Sequence, residues 1–238
     1  MRRVLTMLAT AAILLGAGCG GKSYELRLNK TLEDMRYRKR LDDNLMPAPT
    51  KPKFEELLIF VRPPKNLQPT AAFMLGAPEP GQFDLEVTFD EPSKQSMHML
   101  GRFKAPKTVN PKTKKAQAPP ANRGDFNQDV LAILNSAYNP PPELTLDKFK
   151  EEKHKSNTFK KHVFSANNKI VQVYLYGPKG DPYEVAFVFE FLASEQSALI
   201  TKIGLCLESF ATGQKARRAF SGTGAEEEPA DGAGGVAF

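Results

Sequence analysis

Hydrophobic and polar positions divide the chain into folded stretches and joining segments. Residues 4–15 are apolar except for Thr6 and Thr10. Twelve helical residues reach about 18 Å, short of the roughly 30 Å hydrocarbon core of a bilayer. Residues 31–45 predict a charged helix, with Thr31 as N-cap and Asp34 as the capping-box acid. Its apolar seam is narrow: Leu32, Met35, Leu41 and Leu45. Such a helix is either solvated and packed by one edge or a basic element near anionic headgroups. Pro47, Pro49 and Pro52 cannot continue it. Residues 57–61 form a compact apolar run closed by Pro63 and Pro64, which predicts a buried strand. Residues 68–82 carry glycine and proline breaks and predict a loop.

Phe83, Leu85, Val87 and Phe89 alternate with polar residues, as in a half-buried strand. Residues 96–103 can pair with that strand after a turn at 90–92. Phe126, Val130, Leu131, Leu134 and Tyr138 recur at helical spacing, with Asp125 as cap and Pro140, Pro141 and Pro142 as the stop. Residues 144–155 predict a short charged helical segment. Strands follow at 158–165, 169–176 and 183–191, the last two separated by turn chemistry at 177–182. Residues 194–210 predict a final helix, with Leu199, Ile203, Cys206, Leu207 and Phe210 on one face and Gly213 as its end. The fold class is α+β, with antiparallel strands packed against helices. Whether 54–103 and 124–213 build one sheet or two stays open at this point.

The N-terminus changes the picture most. Arg2 and Arg3 precede the apolar run, and the small residues Gly16, Ala17 and Gly18 lead into Cys19. The arrangement resembles the lipobox of bacterial lipoproteins, although Gly16 stands where that family prefers Leu. The resemblance implies cleavage before Cys19 and a lipid thioether on its thiol. The alternative is an ordinary secretory signal cut after Ala17 or Gly18. Gly20, in place of the Asp that retains lipoproteins in the inner membrane of enteric bacteria, implies the outer membrane and a periplasm-facing body. By this reading 1–18 is a signal peptide, 19–53 a tether with the charged helix, 54–213 the body and 214–238 a disordered acidic Gly/Ala-rich tail.

Charge and chemistry add less. Arg2 and Arg3 account for two of the six net positive charges, so the remaining chain is only mildly basic. This modest excess and the secretory start argue against nucleic-acid binding. Lys104, Lys107, Lys112, Lys114, Lys115 and Arg123 lie in a stretch with four prolines and no acid, which predicts an exposed loop. Those six cations are candidate contacts for lipid headgroups or anionic wall polymer. His98, His154 and His162 have no metal-ligand spacing, and no nucleophile or phosphate-loop motif is present. No cofactor is expected. Cys206, on the apolar side of the last helix, behaves as a small hydrophobe.

Residues 158–213 run as three strands into a helix carrying Leu205, Cys206, Leu207, Glu208, Ser209 and Phe210. This resembles the end of the PsbP-like superfamily of α/β sandwiches and implies binding or assembly without chemistry. The N-terminal half is similar to lipoproteins of planctomycete-type bacteria, which imply no activity. The expectation is a lipid-anchored envelope protein that binds or scaffolds another envelope protein. The alternative is a lipoprotein with a cleft for a small molecule or lipid between sheet and helix.

Overall fold

The computed structural model describes residues 21–49, 52–103 and 123–222. The signal segment, Cys19, most of the basic stretch and residues 223–238 lie outside them. The chain divides into two units, Met1–Asp43 and Asn44–Phe238.

The first unit contains helix α1, Gly21–Asn44. It begins well before the expected cap. Residues 23–29, expected as a tether, are helical, and Thr31 is an interior residue whose Oγ1 donates to Arg27 O at 2.9 Å. The reason is local: Glu25, Leu26, Arg27 and Leu28 are strong helix formers, and no breaker separates them from the charged run. Leu45 lies beyond the helix, buried, and bridges Pro64.

The second unit is built on one antiparallel sheet. Strands β3 (Leu85–Glu91) and β4 (Gln95–Phe103) form the expected hairpin. Strands β6 (Asn157–Ala166), β7 (Lys169–Tyr176) and β8 (Tyr183–Leu192) form the expected meander. With β2 (Gln68–Pro69) and β5 (Lys150–His154) at the edges, the order is β2-β3-β4-β8-β7-β6-β5. The β4–β8 pair therefore answers the question the sequence left open. Its register runs from Gln95↔Phe191 to Phe103↔Tyr183.

Both faces are covered. Helix α3 (Phe126–Ala137) packs Phe126, Val130, Leu131 and Leu134 with Leu100, Val173, Ala186 and Val188 of the sheet. Its Asp125 cap is as expected, the side chain accepting from Gln128 N at 3.0 Å. On the other face Phe159, Tyr176 and Phe187 meet Phe210, which follows helix α4 (Gln196–Ser209), and Tyr174 packs against Phe159. Gly101 admits the N-terminal segment here. A Cβ at that position would sit 3.2 Å from Leu85 Cβ and 3.7 Å from Ile59 Cδ1.

Several elements differ from expectation. Residues 52–61 give a short helix α2 (Pro52–Glu56) and only a two-residue strand β1, Ile59–Phe60, because Leu58 turns the chain at φ 50°. Strand β1 pairs with β9, Ala211–Thr212. Helix α4 ends at Ser209, not at Gly213. Phe210 leaves it extended to bury its ring, and Asn157 Nδ2 donates to its carbonyl at 2.7 Å. Gly213, at φ 58°, opens helix α5 (Gly213–Phe220), so the start of the expected tail is helical. The segment expected to be helical at 144–155 is a 3-10 turn, Leu146–Lys148, followed by β5. Its run of Lys and Glu favours a helix, but pairing with β6 overrides that preference. Charged residues also suit an open sheet edge, where they discourage pairing with other chains.

Phe159 is fully buried and touches five aromatic rings or edges of this layer. Phe159→Ala is expected to lower unfolding stability by about 3–5 kcal/mol in urea denaturation. A loss below about 1 kcal/mol would show that the ring is not part of a close-packed core.

Candidate functional site

Three polar clusters lie on the sheet. The first holds both ends of the basic stretch. Asp84 Oδ2 accepts from Phe103 N at 3.0 Å and from Arg123 Nη1 at 2.8 Å, and Asp84 Oδ1 accepts from Arg123 Nη2 at 3.0 Å. The residue before the stretch and the last residue of the stretch are thus tied to one carboxylate. Beside it, buried Arg102 donates to Gln82 O at 2.9 Å and Gly124 O at 2.8 Å and pairs with Asp129. Its guanidinium carbon lies 5.3 Å from the centre of the Phe83 ring and 5.6 Å from that of Phe126. Burying a charge this deeply is tolerable only with such pairing.

This placement corrects one expectation. Arg123 does not reach outward as a free contact; its guanidinium is engaged by Asp84, whose hydrogen bonds hold it still more firmly in its charged form. Lys104, Lys107, Lys112, Lys114 and Lys115 lie outside the described residues, as does Cys19.

The second cluster is buried on the sheet beneath Phe73 and Tyr138. Thr88 Oγ1 is 2.9 Å from His98 Nδ1, and Ser96 Oγ is 3.1 Å from His98 Nε2. Glu190 Oε1 lies 3.7 Å from the same Nε2 and accepts from Tyr138 Oη at 2.6 Å. Lys169 Nζ donates to Glu190 Oε2 at 3.3 Å. A serine, a histidine and a carboxylate are therefore together, but not as a relay. In a nucleophile–base–acid array the acid orients the ring from the nitrogen opposite the nucleophile. Here Ser96 and Glu190 share Nε2, and Thr88 takes Nδ1.

Burial by itself would raise the Glu190 carboxyl. The His98 ring, the Tyr138 hydroxyl and the Lys169 ammonium reverse that effect and hold it down at about 2. Burial, and then the Glu190 charge, push the Tyr138 hydroxyl in the opposite direction, far above its ordinary range.

The third cluster is at the β5 edge, on the α4 side. Glu152 lies 2.7 Å from His154 Nε2 and 2.8 Å from Lys161 Nζ. Lys161 sits 5.2 Å from the centre of the Tyr174 ring, and Tyr174 Oη donates to buried Gln172 at 2.9 Å. Burial pushes the Tyr174 hydroxyl up to about 12. His154 is packed edge-on against Phe159 and Tyr174. His162 lies with Nδ1 3.1 Å from Lys148 O. Among the described residues, no three His, Cys, Asp or Glu side chains are grouped to hold a metal ion. Cys206 is wholly buried, and burial pushes its thiol well above the range of a reactive cysteine.

Sequence reasoning missed the His98 and Arg102 clusters. One signal was available: Ser96, His98 and Arg102 occupy alternate positions of a strand whose other side is Met97 and Met99. A strand apolar on one side and hydrogen-bonding on the other, placed centrally, must bury those polar groups in partnered form.

No family model matches the sequence, and no curated protein does. Among solved structures, the chain is similar to cyanobacterial PsbP (CyanoP) from Synechocystis sp. PCC 6803. The TM-score is 0.42 at 7% identity, covering 71% of this chain and 93% of that one. It is also similar to a protein from Bacteroides thetaiotaomicron VPI-5482, with a TM-score of 0.39 at 6% identity. That match covers 71% of this chain and 48% of the other.

The folded pKa of Glu190 lies below its unfolded value of about 4.5. Its contribution is therefore complete above that pH and lost as pH falls towards 2. Acid titration of stability should show a loss on the order of 3 kcal/mol across this window, and Glu190→Gln should flatten it. Tyr138→Phe should cost about 1.5–3 kcal/mol at neutral pH, as expected for a hydrogen bond to a charged group. An unchanged acid profile in both variants would contradict the network.

Proposed function

We propose that this is a lipid-anchored cell-envelope protein that binds or scaffolds another envelope protein and performs no chemistry of its own. Cys19 carries the lipid, the outer membrane is its site and the body faces the periplasm. Among the described residues, no helix is long and apolar enough to cross a membrane.

The observation that carries the non-catalytic reading is the state of the space between the sheet and α4: it is filled. Phe159, Tyr174, Phe187 and Phe210 occupy the region between sheet and α4, each at most 3% exposed. The polar groups on the opposite face are directed at one another. A binding cleft needs concave, accessible volume with convergent polar groups, and aromatic rings occupy the place where the alternative reading would put a ligand. What remains for recognition is the outer surface of the body.

The test is crosslinking in the native cells, with Cys19→Ser alongside. One reproducible protein partner, reduced in the Cys19→Ser cells, is the expected result. A lipid or small molecule enriched equally with both versions, and no protein partner, would overturn the scaffold reading.

A further inference from the structure

Helix α1 carries apolar side chains that face solvent. Tyr24 is 68% exposed, Leu28 43%, Leu32 40% and Met35 62%. At 100° per residue the four fall within an arc of about 80°, along roughly 16 Å of helix. Exposed Arg27 and Arg38 border the stripe on one side, exposed Glu25 and Arg36 border it on the other, and Lys39 lies within its arc. Exposed Glu33 and Arg40 are on the opposite face, together with Leu26 and Tyr37. We propose that this stripe lies in the surface of the anionic membrane that holds the anchor, with α1 parallel to the bilayer plane.

The inference deepens the anchor reading and rests on it. Tyr24 is five residues from Cys19. Even a fully extended linker of that length keeps the start of the stripe within about 18 Å of the lipid-bearing residue. Arg and Lys can lay their stems along the apolar boundary and leave their charges among the headgroups. The helix holds seven basic and five acidic residues, a balance that suits an anionic surface. A second copy fits the stripe less well. The stripe covers fewer than two heptads before Lys39 and Asp42 take the positions that would continue it, whereas a coiled coil needs three or four.

The experiment places the photoreactive residue p-benzoylphenylalanine singly at positions 28, 35, 33 and 40 of the full chain. The purified protein is reconstituted in vesicles of phosphatidylethanolamine and phosphatidylglycerol. Lipid adducts at 28 and 35, at least about tenfold above those at 33 and 40, are expected, since each Leu or Met moved into an apolar medium is worth a factor of that order. Equal yields at all four positions, or adducts of doubled protein mass at 28 and 35, would overturn the proposal. The mass of the N-terminal peptide is read from the same sample. An unmodified Cys19 would defeat the anchor reading alone. The four positions would then be measured with Cys19 coupled to a maleimide lipid, with buried Cys206 protected by the fold. Failure to distinguish the faces in that sample would defeat the stripe itself.

Discussion

The pairing of β4 with β8 is the constraint on which the rest of the body depends. It joins a hairpin formed before residue 104 to a meander formed after residue 156, and so turns two local structures into one sheet. Both strands are buried on both faces, so a slip of one residue would exchange every contact on each side. The register places Ser96 opposite Glu190 and His98 opposite Val188. Glu190 then lies within reach of the His98 ring and beneath Tyr138 of the α3 segment. The same register carries Arg102 to the end of the sheet where Asp129 and Gly124 receive it.

Each face solves a different problem with that frame. The α4 face is closed by aromatic rings, whose area compensates for the absence of a disulfide in the described body; Cys206 is a free, buried cysteine. The α3 face carries the polar cost of a central strand containing Ser, His and Arg. It meets that cost by pairing each group inside the fold. Asp84 and Arg102 extend the same logic to the ends of the basic stretch, so the sheet provides a fixed base for it. The functional proposal draws on this division: the described interior is committed to packing and pairing.

Local signals in the sequence were sufficient for β3, β4, β6, β7, β8 and α3, because alternation, turn residues and the Asp125 cap agree there. They failed where tertiary contact decides. Residues 150–154 have helical composition but are drawn into β5 by β6. Phe210 leaves α4 because its ring fits the aromatic layer, and α5 begins at a glycine that otherwise reads as an end. Thr31 looked like a cap because Asp34 follows it at capping-box spacing, while the helix formers before it carry α1 back to Gly21. The candidate site was less legible still. Arg123 and Asp84 are 39 residues apart and Tyr138 and Glu190 are 52 apart, so neither pair leaves a spacing pattern. Composition alone made Arg123 look like a surface contact.

The most direct test of the central claim is native-state hydrogen exchange at the backbone amides of β4 and β8. If their pairing holds the body together, both strands should exchange only through global unfolding, with the same opening free energy and the same denaturant dependence. Opening of the β3–β4 hairpin at a free energy about 2 kcal/mol or more below that of the β6–β8 meander would contradict it, and would show two separately stable sheets held in loose contact.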